Sequence, residues 1–297
     1  MEQITSGMHG KVCIVTGATS GIGKATAQAL AEKGATVIVV ARNPGRGEAI
    51  VSQIKATTGN PSVNLMVADL SSQASIRKLA CDFLERYNRL DVLVNNAGAV
   101  NLQHSRTVDG LETTFATNHL GYFLLTNLLL DRLKASAPAR IINVSSTASR
   151  RGKINFADLQ GEKRYNGAAA YRQSKLANIL FTVELAKRLQ GTGVTANVFH
   201  PGPARTNFAM NNSLLWRILY RIVYRFVGIS PEKGAETSIY LATAPEVANV
   251  TGQYFEKKKA VEPPNPVAKD QAIAERLWAV SEQLVGLAAK PESMAPP

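Results

Sequence analysis

Tyr171 and Lys175 stand four positions apart in Tyr171-Arg172-Gln173-Ser174-Lys175. On a helix that spacing puts both side chains on one face, one turn from each other. A free tyrosine keeps its proton to about pH 10. A lysine cation beside it favours the phenolate, and the phenol becomes a usable acid or base nearer neutrality. Such a pair also arises by chance, and Tyr254 and Lys258 form a second one. That copy lies in Gly252-Gln253-Tyr254-Phe255, which reads as a strand or turn, with Lys257-Lys258-Lys259 and Pro263-Pro264 after it. No helix is expected there, so only Tyr171 has the facing geometry.

The elements that must position Tyr171 begin with Lys11–Thr16, an apolar run of strand length. Gly17-Ala18-Thr19-Ser20-Gly21-Ile22-Gly23 follows, then a helical pattern over Lys24–Lys33, Gly34 as a stop, and a second strand over Val37–Val40. Strand, glycine turn, helix and strand form the phosphate-binding βαβ unit. Its glycines admit a pyrophosphate close to the backbone, and the helix start supplies N–H groups and positive dipole. The spacing here is G-x-x-x-G-x-G, and its place between strand and helix gives it meaning. Gly17, Ser20, Gly21, Ile22 and Gly23 are the expected cofactor contacts. The second strand runs into Arg42-Asn43, and no acid appears before Glu48. An acid there would hold a ribose 2′-hydroxyl, whereas arginine suits a 2′-phosphate. The expected cofactor is therefore NADP(H), with Arg42 and Asn43 beside the phosphate. The alternative is a solvated strand-end charge at Arg42; Arg46 is either an assistant or plain loop.

Val63–Ala68 reads as a third strand ending in Asp69-Leu70, where Asp69 either accepts from the adenine amino group or caps a helix near Ser71-Ser72. A helix over Ser75–Tyr87 carries Cys81 on its apolar face. Strand Leu90–Val94 leads into Asn95-Asn96-Ala97-Gly98, small residues and amides suited to close cofactor approach. Leu111–Lys134 is helical and carries Asn118 and His119; an asparagine inside a helix usually has a reason to be there. Strand Arg140–Ser145 ends in Ser145-Ser146, and Arg150–Gly167 is polar and irregular. The helix of Tyr171 spans Ala170–Leu189, with Gly191 and Gly193 as stops, and strand Val194–Phe199 ends in His200-Pro201-Gly202-Pro203. Strands alternating with helices imply a parallel sheet covered on both faces.

Thr16-Gly17-xxx-Gly21-x-Gly23, Asn95-Asn96-Ala97-Gly98, Asn118, Ser145-Ser146, Tyr171-xxx-Lys175 and Pro201-Gly202 follow one another in an order that resembles the short-chain dehydrogenase/reductase family, from about Lys11 to Tyr254. The resemblance implies an α/β fold with a doubly wound parallel sheet (a Rossmann fold) of seven strands. It implies one domain over 1–297, with an N-terminal extension at 1–10, a substrate-covering helical insertion near 204–230 and a C-terminal extension at 256–297. It further implies that Tyr171 protonates a carbonyl oxygen in reduction, or takes a hydroxyl proton in oxidation. Lys175 would lower the tyrosine pKa and bind the nicotinamide ribose. Ser146 would orient the substrate oxygen, Asn118 would hold a water that relays protons to Lys175, and the hydride would come from the cofactor. Asp69, Leu70, Asn96, Ala97, Gly98, Pro201, Gly202 and Thr206 complete the implied cofactor contacts. His119 and His200 are expected to be structural.

Ser146 and Tyr171 are 25 positions apart, well beyond the family's usual gap. The added Asn155–Tyr165, together with Ala170-Tyr171-xxx-Ser174-Lys175-Leu176-Ala177-Asn178 and Ala274-Glu275-Arg276-Leu277-Trp278, resembles the retinol dehydrogenase-like branch. Protochlorophyllide reductases share part of the pattern. The N-terminal membrane anchor of many retinol dehydrogenases is not seen in this sequence.

Past Pro201-Gly202, the stretch Leu214–Val227 is apolar apart from Arg217, Arg221 and Arg225, spaced by four, and Trp216, Tyr220, Tyr224 and Phe226 broaden its apolar part. It reads as a lid over a substrate pocket, as a membrane-surface helix, or as both. Each suits a bulky lipophilic carbonyl or alcohol.

Composition sets the limits. The 297 residues are 45% hydrophobic, which supports a full core, and the net charge is +12. No nucleic-acid motif or zinc spacing accompanies that charge, so neither a nucleic-acid partner nor a metal is expected. The longest apolar run, Leu120–Leu130, is too short to span a bilayer. Cys13 and Cys81 read as buried free thiols. Met1–Gly10 shows no secretory signal, and the expected location is cytoplasmic, with 214–227 as a candidate peripheral membrane contact. Leu111–Lys134 and Ala170–Leu189 are where the family commonly forms homo-oligomers. The expected activity is NADP(H)-dependent interconversion of a lipophilic carbonyl and alcohol, retinal and retinol among the candidates. The alternatives are a protochlorophyllide reductase-like enzyme and a dinucleotide-binding sensor without turnover, which would have no need of Asn118, Ser146, Tyr171 and Lys175 together.

Overall fold

Strand β1 (Val12–Thr16) is buried along its whole length, and α1 (Gly21–Glu32) follows it across the glycine turn. The computed structural model describes residues 7–202 and 228–287. Within them the βα step repeats through β2 (Thr36–Ala41), α2 (Pro44–Thr58), β3 (Val63–Val67), α3 (Gln73–Arg86) and β4 (Val92–Asn95). The short helix α4 (Thr113–Phe115) then leads through a π-turn, Ala116–Leu120, into α5 (Gly121–Leu128) and α6 (Leu130–Ala135). Next come β5 (Ala139–Val144), a 3-10 turn at Thr147–Arg151, α7 (Gly167–Arg188), β6 (Val194–Phe199), α8 (Pro231–Thr243), β7 (Tyr254–Glu256), β8 (Lys259–Val261) and α9 (Gln271–Leu284).

The strands form one sheet in the order β3-β2-β1-β4-β5-β6-β7-β8. The first seven pair in parallel. The strand order reverses between β1 and β4, and ligands of such sheets bind outside the strands' carboxyl ends at that switch point. Buried apolar side chains fill both faces: Ile14, Leu93 and Phe123 on one, Val15, Val94 and Leu241 on the other.

Four local readings change. An eighth strand, β8, joins antiparallel to β7 through a two-residue turn in which Lys257 and Lys258 both take left-handed backbone, φ 48° and 66°. Arg46 lies in the first turn of a helix, α2, whose glycine-containing start reads as loop. The helix expected over Leu111–Lys134 is interrupted by the π-turn around Asn118 and again at Leu129. Cys81 is exposed, not buried, with its thiol 3.5 Å from a Glu85 carboxylate oxygen. The apolar face of α3 is Ile76, Leu79, Ala80 and Phe83, and Cys81 sits one step round the helix from it.

Helix α9 belongs to the core. Trp278 of α9 lies 4.8 Å from the Phe123 ring of α5 and 5.8 Å from the Phe181 ring of α7, with the Arg188 guanidinium 4.2 Å from its ring centroid. Gln73 and Arg77 of α3 donate to the carbonyls of Leu284 and Val285 and so tie down its C-terminus. Among the described residues no helix is long and apolar enough to cross a membrane. Thr206 and the stretch 214–227 lie outside the described residues.

Candidate active site

Thr16 ends β1 and joins the glycine turn to the loop after β4. Its Oγ1 accepts from the backbone N–H groups of Asn96 (2.9 Å) and Ala97 (3.0 Å) and donates to the Val94 carbonyl. Asn96 answers with its carboxamide, donating to the carbonyls of Thr16 (2.8 Å) and Gly17 (3.3 Å). The two loops therefore meet closely. A Cβ on Gly17 would lie 2.7 Å from Ala97 Cα, and one on Gly23 would lie 2.6 Å from the Gly17 carbonyl oxygen. Ser20, the N-cap residue of α1, makes no side-chain capping bond, which leaves the helix start to a ligand. Bare backbone and an uncapped helix start are what a pyrophosphate requires, so these residues fit a dinucleotide.

The other expected cofactor residues are placed as follows. Arg42 is exposed just beyond β2. The Asn43 side chain caps α2, accepting from Arg46 N–H at 2.9 Å. Asp69 closes a turn, accepting from the Ser71 N–H and hydroxyl, while Ser72 caps α3. The side chains of Ile22 and Leu70 are buried in apolar clusters. Gly202 has left-handed backbone, φ 80°, and its N–H donates to His200 Nδ1 at 3.0 Å.

The expected catalytic residues gather around α7. Tyr171 is half-buried and Lys175 buried on one face of it, with the Lys175 Nζ 5.9 Å from the Tyr171 ring centroid. A second ring, Tyr122 of α5, lies 5.6 Å from the same nitrogen. Nζ donates to the Val144 carbonyl at 3.1 Å, and burial pushes the amine's pKa down to about 7. The serine pair divides its work. Ser145 is buried and donates to the Lys175 carbonyl at 2.7 Å, tying β5 to α7. Ser146 is half-buried and accepts from Ala148 N–H. Asn118 explains the π-turn: its oxygen accepts from Ala99 N–H, and its NH2 donates to the Ala99 carbonyl and to Ser174 Oγ. Both of its N–H donors thus go to protein partners, and one lone pair of its oxygen remains.

The long Ser146–Tyr171 segment is pinned at both ends. Gln173 accepts from Asn155 N–H and donates to the Leu159 carbonyl, and Asn265 donates to the carbonyls of Ser149 and Gly152. Gln160 accepts from Glu112 N–H at 2.7 Å, and the Arg276 guanidinium covers the Phe156 ring at 4.1 Å.

His119 is buried, and burial pushes its pKa down to about 3, opposed by the Asn178 carboxamide; it is a neutral imidazole. Tyr254 and Lys258 sit on a strand and a turn, as their sequence suggests, and Lys258 pairs with Glu236 at 3.3 Å. The sequence reading assigned no role to Tyr122 or Asn178. Asn178, three positions beyond Lys175, could have been found from helical spacing; Tyr122 reaches Lys175 only through the tertiary fold.

The family described as short chain dehydrogenase matches residues 11–214. Human retinol dehydrogenase 13 is 49% identical over 287 residues, covering 94% of this chain and 86% of that protein. Human retinol dehydrogenase 14 is 45% identical over 295 residues, covering 94% and 88%. A solved structure from Mycobacterium Paratuberculosis superposes with a TM-score of 0.77 at 35% identity, covering 94% of this chain and 95% of that one. The Pseudomonas aeruginosa RhlG/NADP active-site complex superposes with a TM-score of 0.67 at 31% identity, covering 84% and 95%.

Proposed function

The chain belongs to the short-chain dehydrogenase family, with retinol dehydrogenases among its relatives, and on that premise we propose that it is an NADP(H)-dependent oxidoreductase of lipophilic carbonyls and alcohols of the retinal and retinol kind. The observation that carries this reading is the Tyr171–Lys175 face of α7, set at the carboxyl edge of a sheet whose glycine turn suits a dinucleotide.

Gly17, Gly21, Gly23 and the start of α1 would hold the pyrophosphate, and Arg42 the 2′-phosphate. The preference for NADP(H) is supported by Arg42 where an acid would serve NAD, and by the NADP in the RhlG complex. Bound there, the cofactor supplies or accepts the hydride. The chain's own part is the proton and the positioning. Tyr171 donates its hydroxyl proton to the substrate oxygen in reduction and takes it back in oxidation. The Lys175 ammonium stabilises the phenolate left behind, and because its own pKa lies near neutrality its charge is available for adjustment. Ser146 orients the substrate oxygen. The lipophilic substrate is supported by the names of the relatives and by the apolar stretch Leu214–Val227, which would also supply a membrane-surface contact.

The test is absorbance-followed oxidation of NADPH against NADH over retinal, medium-chain aldehydes and aromatic ketones. NADPH-dependent turnover, lost in a Tyr171→Phe protein that still binds NADPH, is the expected result. Tight NADPH binding with no turnover on any of these carbonyls would overturn the reading in favour of a dinucleotide sensor.

A further inference from the structure

Ser146 opens the 3-10 turn Thr147–Arg151, and two distant parts of the chain hold that turn. Ser146 Oγ accepts from Ala148 N–H at 3.2 Å, a bond that uses a lone pair and not the hydroxyl proton. The Ser146 carbonyl accepts twice from the buried Ser149, from its N–H at 3.0 Å and from its hydroxyl at 2.7 Å. The end of the turn is pressed on α7. A Cβ on Gly152 would lie 2.7 Å from the Arg172 carbonyl oxygen and 2.9 Å from Leu176 Cβ. Those two residues directly follow Tyr171 and Lys175. The second hold is Asn265, a buried residue between β8 and α9. Its NH2 donates to the carbonyls of Ser149 at 2.9 Å and Gly152 at 3.0 Å, with the Arg150 carbonyl at 3.4 Å.

Capping does not account for an asparagine at 265. Its Oδ1 accepts from Val267 N–H at 3.1 Å and caps the 3-10 turn Pro266–Lys269, a task that serine, threonine or aspartate performs as well. The NH2 is what asparagine adds, and it is spent on the turn that follows Ser146. The Val267 N–H can only donate and the carbonyls can only accept, so the carboxamide has one orientation. Pro264 and Pro266 flank it. A residue before proline is confined to extended backbone, and Asn265 has φ −125° and ψ 120°. The carboxamide is thus presented from a stiff segment. We propose that Asn265 is a positioning residue: it clamps the turn after β5 where that turn packs on α7, and so fixes the Ser146 hydroxyl relative to Tyr171. Each link is a hydrogen bond, from Asn265 to the Ser149 carbonyl and from Ser149 to the Ser146 carbonyl. The inference rests on the reading of Ser146 and Tyr171 as parts of the site.

Asn265→Ser is the test, because serine keeps the cap and removes the NH2. The expected result is a kcat lower by about tenfold, as for a displaced reacting group, with the Kd for NADPH unchanged, since the glycine turn is untouched. Ser146→Ala lowers kcat by itself. Added to it, Asn265→Ser is expected to cost less than about twofold more, because both changes act through one hydroxyl. Hydrogen exchange is expected to quicken at the Ser149 and Gly152 amides, which donate within the turn. An unaltered kcat, or an equal loss with and without the Ser146 hydroxyl, would overturn the proposal and leave Asn265 a cap. Should Asn265→Ser fail to fold, Ser149→Ala removes the hydroxyl that holds the Ser146 carbonyl and is read in the same cycle. If wild type turns over no carbonyl, the proposed activity fails. The exchange measurement still decides the clamp: faster exchange in Asn265→Ser supports it, and unchanged exchange overturns it.

Discussion

The Asn96 carboxamide nitrogen lies 2.4 Å from where a Cβ on Gly23 would stand. That nitrogen is held to the carbonyls of Thr16 and Gly17, so it has no room to retreat. Glycine at position 23 is therefore required by the neighbouring loop and not by its own backbone angles.

Gly23→Ala is expected to push Asn96 and the Gly17 carbonyl apart and open the dinucleotide crevice. Overpacking of this kind costs about 1–3 kcal/mol. Isothermal titration with NADPH is expected to show affinity reduced by roughly tenfold or more. Undiminished affinity would show that the two loops need not meet.

On the proposed reading, Arg42 distinguishes the two dinucleotides. A charge-assisted bond to phosphate is worth about 1.5–3 kcal/mol. Arg42→Ala is expected to weaken NADPH by about ten- to a hundredfold and to leave NADH where it was. Equal loss for both would mean that Arg42 acts on the fold and not on the 2′-phosphate.

Burying Lys175 costs stability, and the proposed reaction uses its charge. Its amine titrates near pH 7 in the folded chain, against an ordinary value of 10.5. Between those values the unfolded chain binds the extra proton, so stability rises with pH across that window and the buried cation is a burden below it. Each pKa unit is about 1.4 kcal/mol, and the burden below pH 7 amounts to several kcal/mol. Lys175→Met is expected to abolish turnover and to raise Tm at pH 6, with the gain fading towards pH 10. A Tm gain that does not depend on pH would contradict the burial account.

The Lys257–Lys258 turn has room for improvement. Two-residue hairpin turns with both φ values positive favour asparagine and glycine, and lysine is strained there. Lys258 pairs with Glu236, whereas Lys257 is exposed. Lys257→Gly is expected to stabilise by about 0.5–1 kcal/mol, visible as a rise of one or two degrees in calorimetry. A fall in Tm would mean that the turn is held by contacts of the Lys257 side chain.

Much of this arrangement was legible in the chain because it rests on local rules. A strand, a glycine turn and a helix announce a phosphate site, and Tyr171 and Lys175 are brought together by helical spacing alone. The features that escaped reading depend on through-space partners or on weak local signals. Pro44-Gly45-Arg46-Gly47 looks like loop, and only the Asn43 cap reveals that α2 starts there. Cys81 differs from the apolar face of α3 by one residue, within the error of assigning a helical face. An asparagine is out of place in a helix by propensity, yet that the backbone answers Asn118 with a π-turn depends on Ala99, nineteen positions back. The eighth strand requires a lysine turn that propensity argues against.

Trp278 of α9 follows every strand of the sheet in sequence and packs against Phe123 and Phe181. During synthesis the sheet and the helices α5 and α7 emerge before Trp278, and the groove between those two rings stays open until Trp278 has left the ribosome. A polypeptide cut before Gln271 would retain every residue of the Tyr171 face and still present an uncovered aromatic groove. Its failure would be aggregation, in place of a loss of chemistry.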